Sequence, residues 1–460
     1  MAKPRRSTFQ NRFKDMVATL RSEIESGIYK PGDYLPSELE LTTRFQLSKK
    51  SVRTALDVLL KEGLIAKVPR VGTQVVQKPP AIALRIAFYP TLHREAAMAE
   101  LLQMFQEQNP GIRIEMINVH YANAETLMNL LQLRLVDVIA LHLKDFMHFK
   151  ENGCLNLLAP QPKKTGTYPF LNELFSNGEG GVYCQPFVFS PVIMCYNKAH
   201  FAERGVFEPD SGWDWRMFRE QLKLLKKENR YSLYFSLASF NRWPIFFLQN
   251  GGRFLRDENG KKSVPEPEET LGMLRMLREL IHEEGIFPLT MAFGQDEPEA
   301  LFKQQKVSVI FTTYFGLNAL KDADFHFDIS QLPHGQTNST LLLCTGIAIS
   351  KETEHPGAAR RLADFLTSDE AQSKLRKETF SLPANKRIAE NEQTQIPNRP
   401  ARLELHRELV RSYATFEHMG LSMSEMLTLG EGLRRYFSNL AAEEELFGML
   451  AGKKKIEQMS

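Results

Sequence analysis

The stretch that limits the fold most is residues 48–62, SKKSVRTALDVLLKE. Ser48 is a good helix N-cap, and Val52, Leu56, Leu59 and Leu60 fall on one face at helical spacing. Lys49, Lys50, Ser51 and Arg53 are left on the opposite leading edge. Such a helix has an apolar back for a core and a cationic front, which is what a major-groove reader needs. Phosphates attract Lys and Arg anywhere, but only the first turns of a docked helix reach base edges in the major groove. The solvated face of an ordinary surface helix would look the same, so the neighbouring segments decide.

Those segments repeat the theme. Phe13, Val17, Leu20 and Ile24 predict an amphipathic helix ending at Gly27. Pro31-Gly32 marks a turn, and Pro36-Ser37-Glu38 opens a second helix whose expected buried face carries Leu39, Leu41 and Phe45. With the helix from Ser48 it makes a helix-turn-helix. Leu64 to Val68 and Gln74 to Val76 then read as two short strands joined through Pro69-Arg70-Val71-Gly72, a wing.

Charge separates this region from the rest. Residues 1–80 hold 15 Lys and Arg against 8 Asp and Glu, leaving 43 against 47 for residues 81–460. A basic end on a mildly acidic body suits a nucleic-acid module attached to a domain with another task. At 460 residues the chain exceeds what one core usually holds, so two or three compact units are expected. Cys154, Cys184, Cys195 and Cys344 show neither C-x-x-C spacing nor clustered histidines, so neither a zinc site nor a disulfide framework is indicated, and no cofactor is expected. His142 and His148 read as ordinary histidines rather than a metal pair. The basic start lacks an apolar run and no stretch has membrane-helix length, which predicts a cytoplasmic protein with no membrane partner.

Residues 10–76 resemble the winged-helix DNA-binding domain of GntR-type bacterial regulators. The matching phrases are I-x-x-G-x-Y-K-P-G-D-x-L-P-S-E at 24–38, S-x-x-S-V-R-x-A-L-x-x-L-x-x-E-G-L-I at 48–65 and G-T-x-V at 72–75. The resemblance implies that Lys49, Lys50 and Arg53 read bases and phosphates. It further implies backbone contacts from Ser37, Ser48 and Ser51, and a wing tip at Arg70, Gly72 and Thr73. Two departures stand out: Lys49 occupies a position usually held by Arg, and Pro69 to Val71 replaces a glycine-rich approach to the wing. An ammonium is a point charge where a guanidinium is a planar fork, so Arg53 is the expected base reader.

Gln77-Lys78-Pro79-Pro80 reads as a stiff linker, with domains expected at 1–78 and 83–460. Beyond it, strand (Leu84 to Phe88), helix (Ala96 to Gln106), strand (Ile112 to Val119), helix (Ala124 to Leu133) and strand (Val136 to Leu141) predict a parallel α/β sheet. Here the chain resembles the solute-binding proteins of ABC importers, in the sugar-binding group with the type II periplasmic-binding fold. The landmarks include F-x-x-x-N-P-G-I-x-I at 105–114, Y-x-x-P-F-x-x-S-P-x-x-x-x-Y-N-K at 183–198, W-x-x-F-x-x-Q-N-G-G at 243–252 and G-I-A-I-S-K at 346–351. The fold class so implied is multidomain: a winged helix-turn-helix (α+β), then a two-lobed α/β periplasmic-binding-protein-like domain. Lobe one is expected near 82–190 and 333–378, lobe two near 193–330 and 380–455.

Sugars are held by aromatic faces and by hydrogen-bonding side chains on loops after strand ends. That places candidates at Tyr89, His93, Tyr121 (with His120) and Asp145, and, on the second lobe, at Asn241, Trp243 and Tyr314. The resemblance supports Trp243 and Tyr314 as aromatic kinds only; Trp213 and Trp215 are assigned to packing. A second class of reading is an aminotransferase-like pyridoxal-phosphate domain behind the same head, but no Ser-x-x-Lys or Gly-rich phosphate cup stands in a suitable context. A third is a second domain that serves only assembly. The favoured reading is a ligand-responsive, non-enzymatic transcription regulator, a repressor of a carbohydrate uptake or utilisation operon. Its partners would be a sugar or other small solute and, as a homodimer, an inverted-repeat operator in double-stranded DNA.

Overall fold

The computed structural model describes residues 6–25, 27–76, 82–119, 124–237, 239–288 and 297–453. They fall into two compact units: one runs to Ala83 and takes in Gln106–Arg113, the other comprises Leu84–Phe105 and the chain from Ile114.

The head consists of α1 (Arg6–Glu25), α2 (Glu38–Phe45), α3 (Lys49–Lys61) and the antiparallel hairpin β1 (Ile65–Val68) and β2 (Gly72–Val75). Met16, Val17, Leu20, Leu41, Val52, Ala55, Leu56, Leu59, Ile65 and Val75 close its core. Both of the last two helices start on local signals. Ser37 and Glu40 form a reciprocal capping box on α2, and the Ser48 hydroxyl accepts from Ser51 N at the start of α3. Two expected core positions face solvent: Leu39 is 73% exposed and Leu60 37%. Leu39 lies two residues from buried Leu41, which on a helix is nearly the opposite face. Ala55, not among the expected core positions of this helix, is fully buried.

The receptor is built on one ten-stranded sheet. Its strands are β3 (Ile82–Phe88), β4 (Ile112–Asn118), β5 (Val138–His142), β6 (Cys184–Asn197), β7 (Tyr231–Tyr234), β10 (Val307–Thr313), β11 (Phe327–Ser330), β12 (Thr340–Ile349), β13 (Leu382–Pro383) and β14 (Tyr413–Ala414). A separate small hairpin pairs β8 (Leu255–Arg256) with β9 (Lys262–Ser263). The main path runs β4-β3-β5-β12-β6-β10-β7, with β11 and β13 beside β6 and β14 beside β12.

β6 explains the two lobes. It is buried along all 14 residues, which its nearly unbroken apolar run permits. Its first half pairs with β12, up to Pro191 opposite Leu342, and from Val192 onward it pairs with β10 and β11. The strand therefore leaves one lobe and enters the other at a residue without an amide donor. β12, which reaches back to β5, is the second crossing strand. The Leu382–Pro383 step, expected in lobe two, pairs instead with Val188 and Phe189 in the lobe-one half of β6.

Candidate functional site

Between the lobes lies a cavity of about 1050 Å³. The first lobe contributes Thr91 and Glu95, together with His142, Leu143 and Lys144 from the start of the helix Leu143–Glu151. The second lobe contributes Tyr234 to Leu237, Ser239 to Arg242, Phe287, Glu297, Glu299 and Thr313. Leu343 and Cys344 enter from β12, and Arg434, Phe437 and Asn439 from the end of the helix Met423–Phe437 and just beyond it. Aromatic rings, hydroxyls, amides and charges of both signs thus converge on one crevice, as small-molecule sites require.

Its charges are internally balanced. Arg242 donates through Nε to the Phe311 carbonyl at 3.1 Å and through Nη1 to the Asn241 carbonyl at 3.0 Å. Burial pushes its guanidinium down to about 10, opposed by the Glu299 carboxylate, so it stays charged at neutral pH. Glu299 in turn receives the Thr312 hydroxyl, and Glu297 receives the Tyr234 hydroxyl at 2.7 Å. On the first lobe His142 stacks on Tyr89, ring centroids 3.7 Å apart at 8°, and its Nδ1 lies 2.9 Å from the Thr345 hydroxyl. Burial lowers His142 to about 4, so the ring at the cavity is neutral.

The sequence candidates separate into those that reach this crevice and those that support it. Asn241 lines it. Tyr89 is half-buried behind His142 and donates its hydroxyl to Asp145 at 2.5 Å; Asp145 is buried. His93 stands edge-on to Phe88, while Thr91 and Glu95 of the same turn face the cavity. Trp243 departs from its expected place: it is 1% exposed, wedged among Phe240, Phe247 and Gly430. Tyr314 does so too. It is fully buried, its amide donates to Ser190 Oγ at 2.7 Å, and its hydroxyl donates to the Leu403 carbonyl at 3.0 Å. Both rings serve packing next to the crevice rather than its wall. Trp213 and Trp215 are buried as expected, and Tyr121 with His120 lies outside the described residues. Arg242, Glu299 and Arg434 are cavity residues that the sequence reading passes over, and His142, read there as an ordinary histidine, also lines the cavity. The one signal available was a carboxylate, Glu299, running straight into apolar Ala300, Leu301 and Phe302.

On the head, Lys49 and Lys50 are exposed at the first turn of α3. The hydroxyls of Ser37, Ser48 and Ser51 are engaged in capping, with Ser48 and Ser51 Oγ 2.8 Å apart. Arg53 is exposed but held by Glu38. Arg70 turns the wing with φ 64°, and Gly72 follows at φ 153°, packed near Tyr34. Thr73 sits in β2, its carbonyl accepting from Leu35 N at 2.9 Å. Among the described residues no helix is long and apolar enough to cross a membrane, and no cluster of His, Cys, Asp or Glu could hold a metal ion.

Comparison with known proteins agrees with this architecture. Residues 89–373 match the family of bacterial extracellular solute-binding proteins, and residues 14–75 match the gntR family of bacterial regulatory proteins. A Brucella abortus (strain 2308) protein named as a binding protein is 22% identical over 217 residues, 46% of this chain and 53% of its own length. The chain thus spans about half the length of that relative. The transcriptional regulator TreR of Bacillus subtilis (strain 168) is 35% identical over 68 residues, 15% of this chain and 29% of TreR. Among solved structures, the substrate-binding protein Lmo0181 of Listeria monocytogenes, in complex with cycloalternan, has a TM-score of 0.67 at 18% identity, covering 82% of this chain and 98% of its own. A solute-binding protein of Thermotoga lettingae bound to α-D-tagatose gives 0.68 at 16%, over 82% and 98%. The chain belongs to the bacterial extracellular solute-binding protein family and carries a gntR-family head in front of that receptor.

Proposed function

We propose that this protein is a DNA-binding transcription regulator that senses a sugar or oligosaccharide in its receptor cleft and represses a carbohydrate uptake or utilisation operon. The observation that carries the reading is the fusion: a gntR-type head and a two-lobed receptor share one chain. The cavity's chemistry supports a neutral, hydroxyl-rich ligand. Phe235, Phe240 and Phe287 offer apolar surface, Ser236, Ser239 and Asn241 offer hydrogen bonds, and the Arg242 charge is already answered by Glu299. Neighbours of the same fold hold cycloalternan, tagatose and maltose. Lys49 and Lys50 would bind phosphates and Arg53 a base edge, in a two-fold dimer on an inverted repeat.

The test pairs two measurements on the full chain. A panel of mono- and oligosaccharides is screened by thermal shift, and gel-shift titrations on a duplex selected from random DNA are run with and without the stabilising sugar. The expected result is one carbohydrate that raises Tm and changes operator affinity by about tenfold, equivalent to about 1.4 kcal/mol. Unchanged operator affinity under a saturating, stabilising sugar would defeat the signalling half of the reading, because a ligand with equal affinity for both states shifts nothing.

A further inference from the structure

Glu38 stands on α2, at its first helical residue, and Arg53 on α3. Arg53 Nε donates to both carboxylate oxygens of Glu38, at 3.0 and 2.9 Å, with side chains 58% and 30% exposed respectively. Two other arginine–glutamate pairs on the head are built differently. Arg21 engages Glu62 through Nε and one terminal nitrogen, and Arg44 engages Glu23 through both terminal nitrogens. Arg53 gives up only its Nε edge. Its two Nη groups, the fork that matches the O6 and N7 acceptors of guanine, have no partner among the described residues.

We infer that Glu38 is a positioning residue for base readout: it pins the Nε edge of Arg53 so that the Nη fork is presented to a guanine in the major groove. This rests on the reading of α3 as the DNA-reading helix. Stability is a poor explanation for the pair, since exposed ion pairs contribute little. Two physical effects favour specificity instead. A long side chain held in one rotamer loses less entropy when its fork binds, and a carboxylate beside the guanidinium lowers its general attraction to phosphate while leaving the directed hydrogen bonds intact. The anchor is itself fixed: the Ser37–Glu40 capping box sets the start of α2, with Ser37 N donating to Glu40 at 2.7 Å.

The experiment uses the full chain and a duplex selected from random DNA by the wild-type protein. Affinities for that duplex and for random duplex are measured for wild type, Glu38→Ala, Glu38→Gln, Arg53→Ala and the Glu38→Ala/Arg53→Ala double variant, with Tm as a folding control. For Glu38→Ala, binding to the selected site should weaken about tenfold, the scale of a lost bidentate base contact, while binding to random DNA strengthens because a negative charge is gone. Glu38→Gln should fall between, and in the Arg53→Ala background the Glu38 effect on discrimination should vanish. Equal strengthening on both duplexes would reduce Glu38 to a bulk charge, and equal weakening with a lowered Tm would reduce it to a structural residue; either overturns the inference. If Arg53→Ala alone left discrimination unchanged, the assignment of Arg53 as reader would fail, and that outcome is separable from failure of the Glu38 role.

Discussion

Three histidines in the receptor are kept neutral by burial, and this couples residue chemistry to acid stability. His142 at the cavity and His200 beside Ser308 are lowered to about 4, and His406, buried next to Arg376, to about 3. Each folded value lies below the ordinary 6.5, so between about 4 and 6.5 the unfolded chain binds more protons than the folded one. The stabilisation is complete above pH 6.5 and is lost as pH falls. A tenfold difference in proton affinity between the folded and unfolded chain corresponds to about 1.4 kcal/mol. The unfolding free energy from urea titration should therefore be smaller at pH 5 than at pH 7, by about a few kcal/mol, with a lower urea midpoint. A flat profile would contradict burial of neutral imidazoles. At this scale the sequence was informative about kind and silent about access. Asn241 reaches the cavity, whereas Trp243 and Tyr314, chosen as the same kind of aromatic platform, are taken up by the core. An indole or phenol looks alike in sequence whether its face meets solvent or Phe247.

Helices connect the crevice to the receptor's outer wall. The helix Leu143–Glu151 starts at the cavity and ends at Glu151, whose carboxylate oxygens accept from Met423 N at 3.1 and 2.9 Å. Met423 opens the helix that returns to the cavity at Arg434 and Phe437, and Lys150 pairs with Glu417 at 3.3 Å beside that junction. A carboxylate on a helix N-terminus is stabilising, so Glu151→Ala should cost about 1 kcal/mol in urea unfolding and Glu151→Gln less. No loss would mean that the Ser422–Glu425 capping box alone satisfies this helix start. Element boundaries were legible where a local cap marks them: Ser37 and Ser48 each begin a helix, as expected. The helix expected from Ala96 to Gln106 runs from Met98 to Gln108, but a short helix, Leu92–Ala96, precedes it and ends at Ala97 with φ 49°, a left-handed turn that no glycine announces.

At the scale of the whole chain, the proposed function makes a reciprocal prediction. If a sugar weakens operator binding by some factor, saturating operator DNA must weaken sugar binding by the same factor, because both report one coupling free energy. Isothermal titration of the sugar with and without selected duplex checks this. A discrepancy beyond error would show that binding and DNA release are not linked through two shared states. The sequence by itself determined the winged head and the α/β alternation, because caps, turns and periodic apolar runs are written within a few residues of the structures they specify; the two lobes were implied only by its resemblance to the solute-binding proteins. Only the tertiary structure decided which side chains meet in the crevice. Thr91, His142, Arg242, Glu299 and Asn439 come together through crossing strands and returning helices, and burial, which neutralises His142 and hides Trp243, is a property of that long-range packing rather than of any local stretch.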